Sequence, residues 1–382
     1  MSGPLDGMIV ADFSRVLAGP LATATLADLG ATVIKIERPS VGDDTRHWGP
    51  PWSPTTSAYF ESANRSKQSV ELDLADPDDL QVAINIATSA DVLVENFRPG
   101  ALAAKGLGYD ELAAANPGLV YCSISGFGTG AGAHLPGYDF LVQAVGGLMS
   151  ITGAVDGEPT KVGVALVDVL TSKDAVSGIL AALLERQSSG AGQRVEVNLL
   201  SSLLGSLANQ ATSYLATGTP PGRMGNQHPS IAPYETLQCA DGHLAVACGN
   251  DGQFAKLVAA LGSPLLATDV RFRQNADRVE HRSELIPLLE AALTSAPVAD
   301  WVATLTEHGV PAGPVGDIAS AFSLADDLGL KPRVDVGTAF VNQVAHPVTY
   351  SRTPVTRYGP PPLLGEHNDT VRRHYTQKTR TS

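Results

Sequence analysis

Apolar residues along this chain repeat with two different periods. Short runs such as Met8 to Asp12, Thr32 to Glu37, Val92 to Asn96 and Leu119 to Ile124 have the length and β-branched content of buried strands. Between them lie segments with helix punctuation. Pro20 to Leu29 carries Pro in its first turn and Gly30 as its stop, and Asp76-Pro77 opens a second helix that runs to about Ser89. Strands separated by helices of this length predict an α/β domain, Rossmann-like, with a parallel sheet and ligands at the strand carboxyl ends. Arg38, Asn96, Phe97 and the glycines after Ile124 are expected along one edge.

The alternation continues with a helix over Tyr138 to Met149, an apolar run from Val162 to Val167 read as a buried strand, and a helix from Ser172 to Arg186. Gln193 to Leu199 reads as a strand and is followed by a small-residue helix reaching Ala216. The Pro/Gly-rich stretch 217–233 is the natural linker. Beyond it the pattern changes to one strand at His243 to Cys248, several helices, and a closing strand at Val310 to Val315. These signals divide the chain into a large domain over 1–216, a linker over 217–233, a smaller α+β domain over 234–326, and a return segment over 327–382. The return segment contains a strand pair around Val334 to Tyr350 and a terminal helix after Gly365.

Asp168 stands out at the junction between the Val162 to Val167 run and the helix that follows. A carboxylate where a buried strand meets a helix N-terminus is expected to be held ionised by the dipole and by backbone N–H groups, in a setting that excludes water. That suits a nucleophile forming a reactive acyl intermediate. A helix N-cap explains the same position.

Composition narrows the classes. With 382 residues, 43% of them hydrophobic and 17% charged, the chain has material for a large core and more than one domain. No stretch reaches the ~18 consecutive apolar residues of a membrane span, and Met1 to Gly7 lacks the signature of a signal peptide, so a cytoplasmic location is expected. A formal net charge of −13 disfavours nucleic acid as a partner. Cys122, Cys239 and Cys248 are too scattered for a disulfide framework and read as reduced core thiols, and no two histidines have metal-ligand spacing. The turn Ser14 to Pro20 lacks G-x-G-x-x-G, which disfavours nicotinamide or flavin, and Ser125 and Ser172 lack a G-x-S-x-G setting. Positive charge gathers early, at Arg38, Arg46, Arg65, Lys67, Arg98 and Lys105, enough for a small phosphorylated ligand.

Many ordered stretches together are similar to the class III CoA-transferases, the CaiB/BaiF-type family. They include Asp12-Phe13-Ser14-Arg15-Val16 with Gly19-Pro20, Val33 to Pro39, Val94 to Gly100, Gly137-Tyr138-Asp139-Phe140 with Gln143-Ala144, Val162-Gly163-Val164 before Asp168, and Gly249-Asn250-Asp251. The resemblance runs from Pro4 to His367. It implies an interlaced homodimer, each chain pairing a large domain built from both termini with a small inserted one. Asp168 then matches the family's catalytic aspartate. The CoA site would use Val16, Arg38, Leu72, Asn96, Phe97 and Tyr138, with Arg38 and Lys105 as candidates for the adenosine phosphate.

The implied reaction moves CoA from an acyl-CoA to a carboxylic acid through an aspartyl-CoA thioester, with CoA as substrate and no metal or redox cofactor. Backbone N–H groups around Asp168 and Asn250 are the expected oxyanion donors. An acyl-CoA racemase is the first alternative, although Tyr138 stands where racemases of the family carry histidine. A non-catalytic CoA-binding protein is the second.

Overall fold

In the computed structural model, which describes residues 3–377, the elements come in the order β1 (Ile9–Asp12), α1 (Ala18–Asp28), β2 (Thr32–Glu37), α2 (Ala58–Asn64), β3 (Lys67–Glu71), α3 (Pro77–Ser89), β4 (Val92–Glu95), α4 (Tyr109–Ala115) and β5 (Val120–Ser125). Next come α5 (Asp139–Val145), α6 (Leu166–Ser189), β6 (Arg194–Asn198), α7 (Leu199–Ser206) and α8 (Ala208–Thr217). Six strands form one parallel sheet in the order β3-β2-β1-β4-β5-β6. Strand residues alternate between two cores, as a sheet covered on both faces requires. Val10, Val33, Val92, Val94, Val120 and Cys122 pack with α1 and α6, whereas Ala11, Ile34, Leu93 and Tyr121 pack with α3 and α4.

Local chemistry sets several boundaries. Asp76 caps α3 by accepting from the N–H groups of Asp78 and Asp79, and Pro77 fills the first helical position. Gly190, at φ +74°, ends α6.

Two compact units emerge: residues 3–148, 161–219 and 331–377 form the first, and residues 149–160 with 220–330 the second. Residues 1–2 and 378–382, at the ends of the predicted 1–216 and 327–382 segments, lie outside the described residues. In the first unit the chain returns through β10 (Arg333–Val334) and β11 (Gln343–Val344), defined here with α14 (Asn368–Gln377). Val371 and Tyr375 of α14 enter the α3 core, and Arg372 pairs with Asp79 at 2.6 Å.

The second unit contains β7 (Tyr234–Gln238), β8 (His243–Ala247), α9 (Asp251–Ala260), α10 (Asn275–Glu280), α11 (Arg282–Leu293), α12 (Val298–Glu307), β9 (Ala312–Pro314) and α13 (Ile318–Asp327). Its strands form an antiparallel sheet in the order β7-β8-β9. Residues 228–232, read from the sequence as linker, are bound into this unit. The buried guanidiniums of Arg278 and Arg282 donate to the carbonyls of Ala232, His228 and Ile231 at 2.6–2.7 Å. Residues 149–160, which the sequence reading kept in the large domain, also make their contacts here.

The structure departs from the sequence reading in several places in the large unit. No strand forms over Val162 to Val167; the segment is an irregular strap, and α6 already begins at Leu166. Conversely, α2, β3 and α4 were not predicted. β3 reads Lys-Gln-Ser-Val-Glu, too polar for a core strand by pattern alone, yet Lys67 and Ser69 are buried because partners wait for them inside.

Among the described residues no single helix is long and apolar enough to cross a membrane. The three cysteines are buried and unpaired, and burial pushes the thiols of Cys122 and Cys248 up to about 12.

Candidate active site

The strand order turns between β1 and β4, so the loops leaving their carboxyl ends diverge and open a crevice. The Asn96 side chain ties the two loops together. Its Oδ1 accepts the Arg15 N–H at 2.8 Å and its Nδ2 donates to the Arg15 carbonyl at 2.7 Å. Val16, next in line, sits at φ +70°, a left-handed conformation that a β-branched residue adopts only under constraint. The constraint is visible: the Val16 N–H faces both oxygens of Asp43 at 3.3 Å.

Asp43 belongs to a buried ionic network behind this loop. Lys35 Nζ donates to Asp43 at 2.9 Å and to the Ser14 carbonyl at 3.0 Å. Burial alone would raise the Asp43 pKa, but Lys35 and the hydrogen bonds from Thr45 bring it down to about 2. Deeper in, Asp12 accepts from Lys67 Nζ, the Thr23 hydroxyl and Ser14, and Glu37 takes the Arg46 guanidinium on both oxygens. The network anchors the backbone that borders the crevice.

Two cavities open on this side of the sheet. One, of about 310 Å³, is lined by Val16, Asn96, Phe97, Tyr138 and Asp168 together with Arg15, Arg98 and His134. The other, of about 450 Å³, is lined by Arg38, Leu72, Phe97 and Lys105. Arg15 and Phe97 line both, with the Arg15 guanidinium 5.4 Å from the Phe97 ring, so the cavities adjoin across this pair. The second cavity thus joins an apolar wall to two exposed cations. Arg38 leans on Asp44 at 2.5 Å and Lys105 donates to the Leu74 carbonyl at 2.9 Å.

Asp168 lies in the first turn of α6, not at the end of a strand. Nor is it the N-cap: Ala165 holds that position without a side-chain bond, and α6 is capped from outside by Asp139 of α5. Among the described residues no group hydrogen-bonds the Asp168 carboxylate, which is partly buried. Burial and the neighbouring charge of Asp139 push its pKa up to about 7, overriding the helix dipole that was expected to hold it ionised.

The expected oxyanion donors are also committed elsewhere. The N–H groups of residues 166–169 go to Val164, Asp139 and Ala165, and in the second unit the Gly249 N–H goes to Gln253 Oε1 at 2.8 Å.

Several residues here carried no sequence signal of their own. Arg15 and Asp139 lie inside family-like stretches, but only the fold shows what they touch. Tyr59 on α2 is half-buried, and burial with the charges of Asp168, Asp139 and Asp43 drives its hydroxyl up to about 12. The glycines after β5 are explained in part by packing. Gly126 and Gly137 meet face to face, so a Cβ on either would fall within 2.5 Å of the other's Cα, and together they pinch the loop that borders the cavity.

A profile of CoA-transferase family III matches residues 5–368. A succinate–glutarate CoA-transferase of Agrobacterium fabrum is 42% identical over 379 residues, covering 96% of this chain and 94% of its own length. An acetyl-CoA:oxalate CoA-transferase of Acetobacter aceti is 44% identical over 324 residues, 84% of this chain and 83% of that protein. The crystal structure of a CaiB/BaiF family protein from Brucella suis superposes with a TM-score of 0.88 at 43% identity, covering 98% of this chain and all of that one. The racemase and silent-binder alternatives give way to these relatives. The chain belongs to CoA-transferase family III, the CaiB/BaiF proteins, and is a class III CoA-transferase.

Proposed function

We propose that this enzyme transfers CoA from an acyl-CoA to a short dicarboxylic acid through an aspartyl-CoA thioester on Asp168. The observation that carries the reading is a carboxylate without a hydrogen-bond partner among the described residues, facing a cavity that adjoins a second one edged by Arg38 and Lys105. A partly desolvated carboxylate whose pKa is pushed up to about 7 is a stronger nucleophile than an ordinary one.

Asp168 attacks the thioester carbonyl and CoA leaves as the thiolate, giving a mixed anhydride. The thiolate then attacks Cγ of Asp168, releasing the donor acid as a carboxylate and leaving the aspartyl-CoA thioester. The acceptor carboxylate attacks the same carbon, and the thiolate it displaces attacks the acceptor's acyl carbon, which frees Asp168. Overall one thioester is exchanged for another of similar energy, so no external energy source is needed. Phe97 and Asn96 would border the pantetheine arm, with Val16 and Tyr138 beside it. Leu72, Arg38 and Lys105 would take the nucleotide end, where charge-assisted contacts to phosphate are strongest.

The relatives named for glutarate and oxalate, together with Arg15, Arg98 and His134 around the Asp168 cavity, support a dicarboxylate acceptor. Such an acceptor offers a second carboxylate to the guanidiniums of Arg15 and Arg98. Incubation with succinyl-CoA, followed by quenching and digestion, should yield an Asp168 peptide carrying CoA, or a hydroxamate after hydroxylamine. Turnover without any Asp168 adduct would overturn the mechanism.

The homodimer is proposed on the family resemblance, and large apolar residues left exposed on α8 and α13, Leu215 and Ile318 among them, favour it. A folded monomer by light scattering at low concentration would exclude an interlaced pair.

A further inference from the structure

The strap that delivers Asp168 to its cavity, residues 161–165, has no regular structure of its own, and α6 starts without a capping side chain from within. What holds it is a single turn of α5. Asp139 Oδ1 accepts the N–H of Val167 at 2.7 Å and that of Asp168 at 3.3 Å. Its Oδ2 accepts from Gln143 Nε2 at 2.7 Å, and fully buried Gln143 accepts the Val162 N–H through Oε1 at 2.9 Å. An acid and an amide one turn apart thus grip both ends of the strap.

An Asn here would cap the N–H groups about as well as Asp but could not also accept from Gln143 Nε2, so the carboxylate serves two sets of donors at once. A second carboxylate this close to the nucleophile has an electrostatic consequence as well, because its charge disfavours ionisation of Asp168.

We infer that Asp139, seated by Gln143, is a positioning residue for the transfer reaction: it fixes the turn that carries Asp168, and its charge makes the neighbouring carboxylate a stronger nucleophile. This rests on Asp168 being the nucleophile. Together with burial, the larger cause, the same charge sets how far the pH must rise before the enzyme is active. Tyr59 faces the pair from α2 and stays neutral throughout the working range. Arg15, Asp44, Arg98, His134 and Tyr138 line the cavity. All of these remain in an Asp139 variant, so a change in its profile reports on Asp139.

The test is the pH dependence of kcat/KM, and of single-turnover labelling of Asp168 by succinyl-CoA, in the full-length wild type, Asp139→Asn, Asp139→Ala and Gln143→Leu, with folding checked by circular dichroism. Asp139→Asn keeps the Val167 bond through its amide oxygen, removes the charge and gives up the bond from Gln143 Nε2, a loss that Gln143→Leu measures separately. Its acid limb should move to lower pH by about one unit, with the plateau rate reduced no more than a few-fold. Asp139→Ala, which also frees the strap, should lower plateau kcat by about tenfold to a hundredfold with little change in KM for the acyl-CoA. Gln143→Leu should lower kcat while leaving the limb near its wild-type position, and it keeps the positioning role testable if the alanine variant does not fold. An Asp139→Asn limb that superposes on wild type, or alanine and leucine variants with full plateau rates, would overturn the inference. Absence of an Asp168 adduct in the wild type at any pH would instead defeat the nucleophile assignment beneath it.

Discussion

Asp12 and Asp168 are both carboxylates drawn out of water in the same unit, and they have opposite characters. Asp12 ends β1, is fully buried, and accepts from Lys67, Thr23 and Ser14. Burial would raise its pKa, but Lys67 and Lys35 more than offset that, so it stays ionised. Asp168 is less buried, has no hydrogen-bond partner among the described residues, and has an anionic neighbour, so its pKa rises to about 7. Partners, more than depth, separate a structural carboxylate from a reactive one.

The sharpest way to break this comparison is Asp168→Asn. It keeps shape, and α6 keeps its cap because Asp139 supplies it, so folding should survive while turnover falls by on the order of a thousandfold or more. Substantial transferase activity in this variant would make Asp168 structural after all.

Lys67→Met tests the other side. It strands Asp12 in the core, and urea unfolding at neutral pH should show a loss of about 3–5 kcal/mol. A loss under about 1 kcal/mol would mean that the network contributes little to holding the crevice.

An exposed cation should behave differently from buried Lys67. Arg38→Ala should leave stability nearly unchanged but weaken CoA binding by on the order of 1–3 kcal/mol, with a much smaller effect on dephospho-CoA. Equal losses for both ligands in calorimetry would refute the adenosine-phosphate assignment.

The smallest effect is in pH-dependent stability, and its sign differs between the two aspartates. Asp12, with a lowered pKa, stabilises the fold above its unfolded value of 3.8, and this contribution is lost as pH falls through its lower folded value. Asp168 has a raised pKa, so the native state holds the proton more tightly and wild-type stability declines as pH rises from 3.8 to about 7. Asp168→Asn removes that penalty. The two proteins should melt alike below about pH 4, and the variant should be more stable above pH 7 by on the order of 1–2 kcal/mol, less than a fully buried group would give. A variant less stable than wild type at pH 8 would contradict the unpartnered carboxylate.

Much of the scaffold was legible in local pattern. Thr32 to Glu37 forms the strand its length and β-branched content predict, and the Asp76-Pro77 start of α3 follows from capping chemistry. The α/β class followed from strands and helices taking turns. β3 was not legible because its buried Lys67 and Ser69 answer to Asp12 and Glu37, residues far away in the chain. The Val162 to Val167 run misled for the converse reason. It is apolar enough for a strand, but no neighbouring strand offers it a ladder, and Gln143 and Asp139 take its N–H groups instead.

By itself the sequence determined the class of fold, the family and the identity of the candidate nucleophile, because helix caps, apolar periods and ordered motifs are written in neighbouring residues. Only the tertiary structure decided the state of that nucleophile. Whether a carboxylate is paired, and with what sign of charge beside it, depends on side chains brought together from β1, β3, α2, α5 and α6, and no local pattern encodes their meeting.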